Sequence, residues 1–402
     1  MSKKWLHGAI PALLIHGCIG TVYCWSLLYD YIKESITGNC TWAFSLAIFF
    51  LGISAAFFGP LVEKNVKKAA TISSILFGSG MILSGVACYI NSMPLLYLSY
   101  GAIMGTGVGI GYITPVKTLM MWFKNNKGLA TGLAIMGFGL AKVIATPLLN
   151  WSIERCGIYC TFFSFGVWYT LIMLLAAILL KKPIEEGKIE NTSRPKFKSL
   201  KEWFDRKKQL LNLPAITTIW LIFYLNISSG LAIISYEKYY YETAGIGIVL
   251  GLVFSAIFNS LGRFGVAWWS DYFKNRGKLF GIILTFSVLS GITAFMAPGF
   301  IPVAVLLCNA GYGAMFSIMP SVLADRYGMK DVSEIHGLIL SAWAFAGLSG
   351  NQFANLLVGI PESSYKTLIL GSVGLYCIAL SLSVNCGIKT KNLIYDIINK
   401  KL

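Results

Sequence analysis

Lys142 and Arg263 are the residues of this chain whose setting most demands chemistry. Lys142 falls in an apolar run, 15 residues after Lys127 and 13 before Arg155, and Arg263 lies in another, 8 residues before Asp271. A charge at the centre of a membrane span costs roughly 2.5–3.5 kcal/mol on insertion scales, so it needs a task or a partner. No Asp or Glu stands in the central part of any apolar run of spanning length. The expected partner is therefore a ligand that arrives as an anion. At helical spacing around Arg263 come Ala256, Asn259, Ser260 and Ala267, while Ile257, Leu261, Phe264 and Trp268 fall opposite. That pattern aims the guanidinium at a polar cavity, where its fork of donors suits a carboxylate. The bland alternatives are an Arg bonded to backbone carbonyls and a neutral Lys held by hydrogen bonds.

Four aromatics at cavity-like positions, Tyr23, Tyr112, Tyr312 and Phe316, are candidates to donate hydroxyls or box in a small planar anion, or simply to pack. His16 is mid-span and is a candidate for hydrogen bonding or proton coupling. Lys117 lies seven residues before Lys124, close enough to an end to snorkel. Nine cysteines show no metal-type spacing, and Cys156 and Cys160 read as buried apolar residues. There is no HExxH, no cluster of acids for a metal and no Walker lysine after the glycine-rich runs Gly105–Gly111 and Gly128–Gly139. Enzymatic chemistry is not expected, and neither is a cofactor or a metal.

The elements that must position these residues follow from hydropathy. Of 402 residues, 56% are hydrophobic, and the mean hydropathy is +0.68. That excess of apolar surface belongs to a polytopic membrane protein. Spans are predicted near 5–29, 42–62, 69–91, 94–121, 128–151 and 158–180, then near 214–236, 244–270, 278–297, 301–323, 335–359 and 366–387. The first is read as a retained helix, since it is too long for a signal sequence. The expected organisation is an N-terminal six-helix half (1–180), a linker (181–213), a C-terminal six-helix half (214–387) and a tail (388–402).

Net charge is +16, and its placement decides what it means. With the N-terminus in the cytoplasm, 26 of the 33 Lys and Arg fall on that side, 4 fall outside, and Lys117, Lys142 and Arg263 remain within spans. This positive-inside bias predicts a multi-pass protein of the cell membrane with both termini cytoplasmic. It also directs the basic charge to a lipid bilayer rather than to nucleic acid. The linker's Trp203 and Phe204 are expected at headgroup level, with the segment acting as a tether.

The halves repeat. Gly59–Lys68 and Gly265–Arg276 each run from a Gly through an acid (Glu63, Asp271) into basic residues. Thr114–Gly128 and Met319–Gly337 each carry a Pro, an aromatic seven residues on (Trp122, Tyr327) and a later Gly. A six-helix repeat is a transporter signature. At these residues the chain resembles the major facilitator superfamily, with Val66 replacing a motif Gly. Four further blocks resemble the oxalate/formate antiporter family, near the monocarboxylate transporters. They are GTVYCWSLL (20–28), GIGYITPVKTLMMWFKNNKGLATGLAIMGFG (109–139), NSLGR (259–263) and GYGAMFSIMPSVLADRYG (311–328).

The resemblance implies an all-α major facilitator fold of twelve transmembrane helices, working by alternating access as a monomer. It implies that Arg263, in the eighth span, binds a substrate carboxylate, and that Glu63, Lys64 and Asp271 act in gating. It also implies that the fifth and eighth spans face each other, so Lys142 is expected to clamp the anion opposite Arg263, with Asn259 beside it. The family's second cation, a lysine in the eleventh span, is replaced here by Trp343; proton-coupled relatives carry an Asp where this chain has Asn259. The expected function is secondary transport of a small mono- or dicarboxylate by exchange or uniport. The alternatives are proton-coupled monocarboxylate symport and a transporter-like sensor without turnover.

Overall fold

The computed structural model describes residues 3–183, 200–329, 332–358 and 364–386. Eleven continuous helices among these residues are long and apolar enough to cross a membrane. The longest, Lys127–Leu179, has 53 residues, about 80 Å at 1.5 Å per residue, or two spans rather than one. It breaks at Gly157, where φ is 77° and ψ is 171°, a conformation that favours glycine. Splitting it there gives α1 (Trp5–Ser35), α2 (Thr41–Lys64), α3 (Val66–Tyr89), α4 (Met93–Trp122), α5 (127–156) and α6 (158–179). After a linker helix (Leu200–Leu211) come α7 (Pro214–Thr243), α8 (Ile248–Ser270), α9 (Lys278–Met296), α10 (Pro298–Tyr327), α11 (Val332–Val358) and α12 (Ser364–Cys386).

Two seams join the six helices before the linker helix to the six after it: α2 against α11 and α5 against α8. Helices in lipid gain no hydrophobic drive to associate, so they rely on close packing at small residues. A Cβ on Gly52 would lie 2.5 Å from the Ala344 backbone nitrogen, and one on Gly128 would lie 2.1 Å from the Ala267 carbonyl. The backbones of opposite halves therefore touch, and only glycine leaves room.

One predicted boundary moves. α7 was expected to stop at 236, where Glu237 and Lys238 begin a polar stretch, but it runs on to Thr243 and carries both inside it. Lys238 is therefore a buried helical residue and not part of an outer loop; it pairs with Asp30 of α1. The linker helix is also more than a free tether, since Lys207 is buried and its Nζ lies 3.1 Å from Glu334 Oε1 in the first turn of α11. The side chains of Trp203 and Phe204, residues 184–199 of the linker and the tail 388–402 lie outside the described residues.

Candidate anion-binding site

Arg263 owes its position to an irregular stretch of α8. Gly262–Val266 forms a single π-helical turn, which inserts an extra residue and often marks a functional site. A Cβ on Gly262 would lie 2.0 Å from the Ala310 carbonyl, so α8 and α10 meet backbone to backbone beside the arginine.

The Arg263 side chain is fully buried. Its Nε donates to Asn259 Oδ1 at 2.7 Å, and Asn259 Nδ2 donates to the Asn309 carbonyl of α10 at 3.1 Å. The guanidinium carbon lies 5.4 Å from the Phe138 ring of α5 and 5.3 Å from the Phe316 ring of α10. One ring from each half thus clasps it, at distances suited to cation–π attraction. Nη1 and Nη2 make no hydrogen bond of ordinary length among the described residues, although the Tyr23 and Tyr112 hydroxyls are near enough to interact with the guanidinium. A buried unsatisfied donor costs about 1–3 kcal/mol, and more when charged.

Other orphan donors surround the same rings. Trp343 Nε1 and Tyr112 Oη are buried without partners. The Trp343 ring is 4.3 Å from Phe316 and 5.4 Å from Tyr112, while Tyr112 is 5.5 Å from Phe138. Tyr23 and Tyr312 share a 2.7 Å hydroxyl hydrogen bond across the halves. These groups form an aromatic cage rich in hydrogen-bond donors, with an unpaired guanidinium inside. Its chemistry suits a small anion with at least two oxygens.

The sequence-derived candidates divide. Arg263, Asn259, Tyr23, Tyr112, Tyr312 and Phe316 come together around this cage. His16 borders it, its ring 5.3 Å from that of Tyr112, but both its nitrogens lie 3.1 Å from backbone carbonyls, those of Ala12 and Tyr112. Neither nitrogen is left for a ligand.

Lys142 has the acid partner it was not expected to have. Its Nζ forms an ion pair with Glu237 Oε1 of α7, and both side chains are buried. Asn309 Nδ2 lies 3.5 Å from Glu237 Oε2. Lys142 and the arginine's support Asn259 both line a cavity of about 10 Å³, the size of roughly one water. Tyr23, Gly139, Lys142, Ala256, Asn259 and Asn309 border it. The expectation of two unpaired buried cations is corrected to one.

At the basic end, Asp271 closes the α5–α8 seam. Its two oxygens accept from the backbone nitrogens of Gly128 (2.8 Å) and Leu129 (2.9 Å), the positive end of α5. That helix belongs to the other half. Arg276 Nη2 lies 2.6 Å from Asp271 Oδ1, Arg276 also pairs with Asp325, and Lys127 Nζ reaches Asp325 at 3.2 Å. In the matching loop after α2, Lys64 is exposed, and the Glu63 side chain lies outside the described residues.

Reading the sequence did not single out Phe138, Glu237, Asn309 or Asp30. Phe138 had a usable signal: a lone ring between Gly137 and Gly139, one turn before Lys142. Glu237 had none, because its partner is 95 residues away.

Comparison with known proteins places these features in a family. The sequence model of the Major Facilitator Superfamily matches residues 12–351. The uncharacterized MFS-type transporter YhjX of Escherichia coli (strain K12) is 25% identical over 359 residues, 84% of each chain. The oxalate:formate antiporter of Oxalobacter formigenes is 24% identical over 360 residues, 87% of this chain and 84% of that one. Monocarboxylate transporter 13 of Bos taurus is 22% identical over 305 residues, 75% of this chain and 67% of that one. Among solved structures, the transporter FucP in its outward conformation superposes with a TM-score of 0.67 at 16% identity, covering 95% of this chain and 98% of that one.

Proposed function

Since the chain belongs to the Major Facilitator Superfamily, we propose that it is a secondary transporter for a small organic carboxylate, working by alternating access. The observation that carries this reading is the Arg263 guanidinium, buried between rings of opposite halves with both Nη groups unpartnered. A carboxylate fills both vacancies at once and neutralises the charge, which offsets the cost of burying an unpaired guanidinium. Tyr112 and Trp343 supply further donors, and the aromatic walls fit a small planar ligand.

Both halves contribute to the cage, so ligand binding also bears on their closure. A ligand that binds more tightly when Phe138 and Phe316 close over it shifts the protein toward the closed state, and rocking then exposes the site to the other side. Asp271 on the α5 N-terminus serves as the gate at the basic end, which faces the cytoplasm in this reading. Two relatives point the same way: one is named for exchanging oxalate and formate, and the other for carrying monocarboxylates.

The test is uptake of labelled small carboxylates into proteoliposomes. Wild-type protein accumulates at least one, Arg263→Lys retains a fraction of that uptake, and Arg263→Ala is at background while still eluting as folded protein. Full uptake by folded Arg263→Ala removes the site.

A further inference from the structure

Six charged side chains are buried among the described residues: Lys142, Lys207, Glu237, Lys238, Arg263 and Glu334. Five are in ion pairs: Lys142 with Glu237, Lys207 with Glu334, and Lys238 with Asp30. Arg263 alone has no carboxylate partner among the described residues.

Lys142, paired with Glu237, lines the same small cavity as Asn259, the residue that holds Arg263. They are therefore electrostatic neighbours of any ligand in the cage. Asn309 reinforces the pair, since its amide faces Glu237 Oε2 and its carbonyl holds Asn259. A paired charge contributes little net field, so Lys142 offers little attraction to an anion while Glu237 occupies it.

We infer that Glu237 sets the charge of the ligand. By neutralising Lys142 it leaves Arg263 as the one buried positive charge without a carboxylate partner among the described residues, and so selects a singly charged carboxylate over a doubly charged one. This inference rests on the carboxylate reading above. It makes Glu237 a specificity determinant that need not touch the ligand. A monoanion brings the site to neutrality, whereas a dianion leaves a buried surplus negative charge, which low-dielectric surroundings penalise. For charges roughly 8 Å apart at an effective dielectric near 20, one added charge changes affinity on the order of 30-fold.

The experiment compares ligands of one skeleton and two charges: oxalate, malonate and succinate, each against its monomethyl ester. Affinities are read by titration calorimetry on purified protein. Wild type binds the monoester more tightly than the diacid. Glu237→Gln frees Lys142 and moves the preference toward the diacid by about tenfold or more. Lys142→Met/Glu237→Gln returns the site to one positive charge and restores the monoester preference. Tighter binding of diacid by wild type overturns the inference, as does an unchanged ratio in Glu237→Gln. If Glu237→Gln does not fold, the wild-type preference and its persistence in the double variant still decide the matter, and its loss in the double variant also overturns the inference. Failure of wild type to bind any of the six ligands defeats the carboxylate reading itself.

Discussion

Arg263 and Lys142 are both buried cations inside membrane-spanning helices, yet their surroundings treat them in opposite ways. Lys142 meets Glu237, and the charge is settled within the protein. Arg263 meets two phenyl faces and one carboxamide, and its Nη groups are left unpartnered. The first arrangement stabilises the join between α5 and α7. The second leaves a charge that, in the proposed reading, a transported carboxylate satisfies. What sets the two cations apart is not burial depth but unspent hydrogen-bonding capacity, the feature on which the proposed binding role rests.

The contrast breaks first at Arg263. Arg263→Met is expected to reduce carboxylate uptake in proteoliposomes to background while leaving the melting temperature equal to wild type or higher, because an uncompensated charge has been removed. A variant that loses stability along with uptake would place Arg263 with the structural pairs. The opposite signature is expected at the lysine's partner. Glu237→Ala strands Lys142 and lowers stability by about 3–5 kcal/mol in detergent denaturation, whereas Lys142→Met/Glu237→Leu comes back to within about 1–2 kcal/mol of wild type. Equal losses in the single and double variants would mean that packing, not charge, dominates there.

Smaller effects refine the picture. Asp271→Asn keeps the shape of the α5 cap but removes its charge from the helix N-terminus and from Arg276, a loss of about 1–2 kcal/mol. A cysteine placed on the α5 side of that seam should then react faster with a water-soluble maleimide. Trp343→Phe preserves the ring contact with Phe316 and deletes Nε1, so calorimetry should show ligand binding weaker by a few-fold, about 0.5–1.5 kcal/mol.

Most of the framework was legible because membrane folding rules act on the chain locally. Apolar runs, basic loops and the paired Gly–acid–basic motifs gave the helices and their repeat, and a one-sided polar stripe turned Arg263 away from the lipid, as its full burial agrees. The Lys142 pairing was not legible for the same reason. A hydropathy profile counts Glu237 as a helix terminator, whereas its cost in the fold is set by a lysine far away in sequence. The helix thus continued through two charges that each had a partner on another helix. The aromatic cage was half legible: Tyr23, Tyr112, Tyr312 and Phe316 were found from position, but Phe138 lay hidden in a run read for its glycines. Trp343 was read as a lysine's replacement, and it also lends the cage an indole donor.

The π-helical turn at Gly262–Val266 has a bearing on how this chain can vary. Each residue advances a helix by about 100°, so one inserted residue resets the angular phase of everything beyond it. Arg263 sits between Phe138 and Phe316 on one phase and Asp271 reaches the end of α5 on the next. Deleting a single residue between them would leave both side chains in the sequence and every hydropathy value nearly intact, yet would swing Asp271 about a quarter-turn away from the seam. The proposed ligand site and the proposed gate are thus tied by spacing, and insertions or deletions in that short stretch should be tolerated less than almost any substitution there.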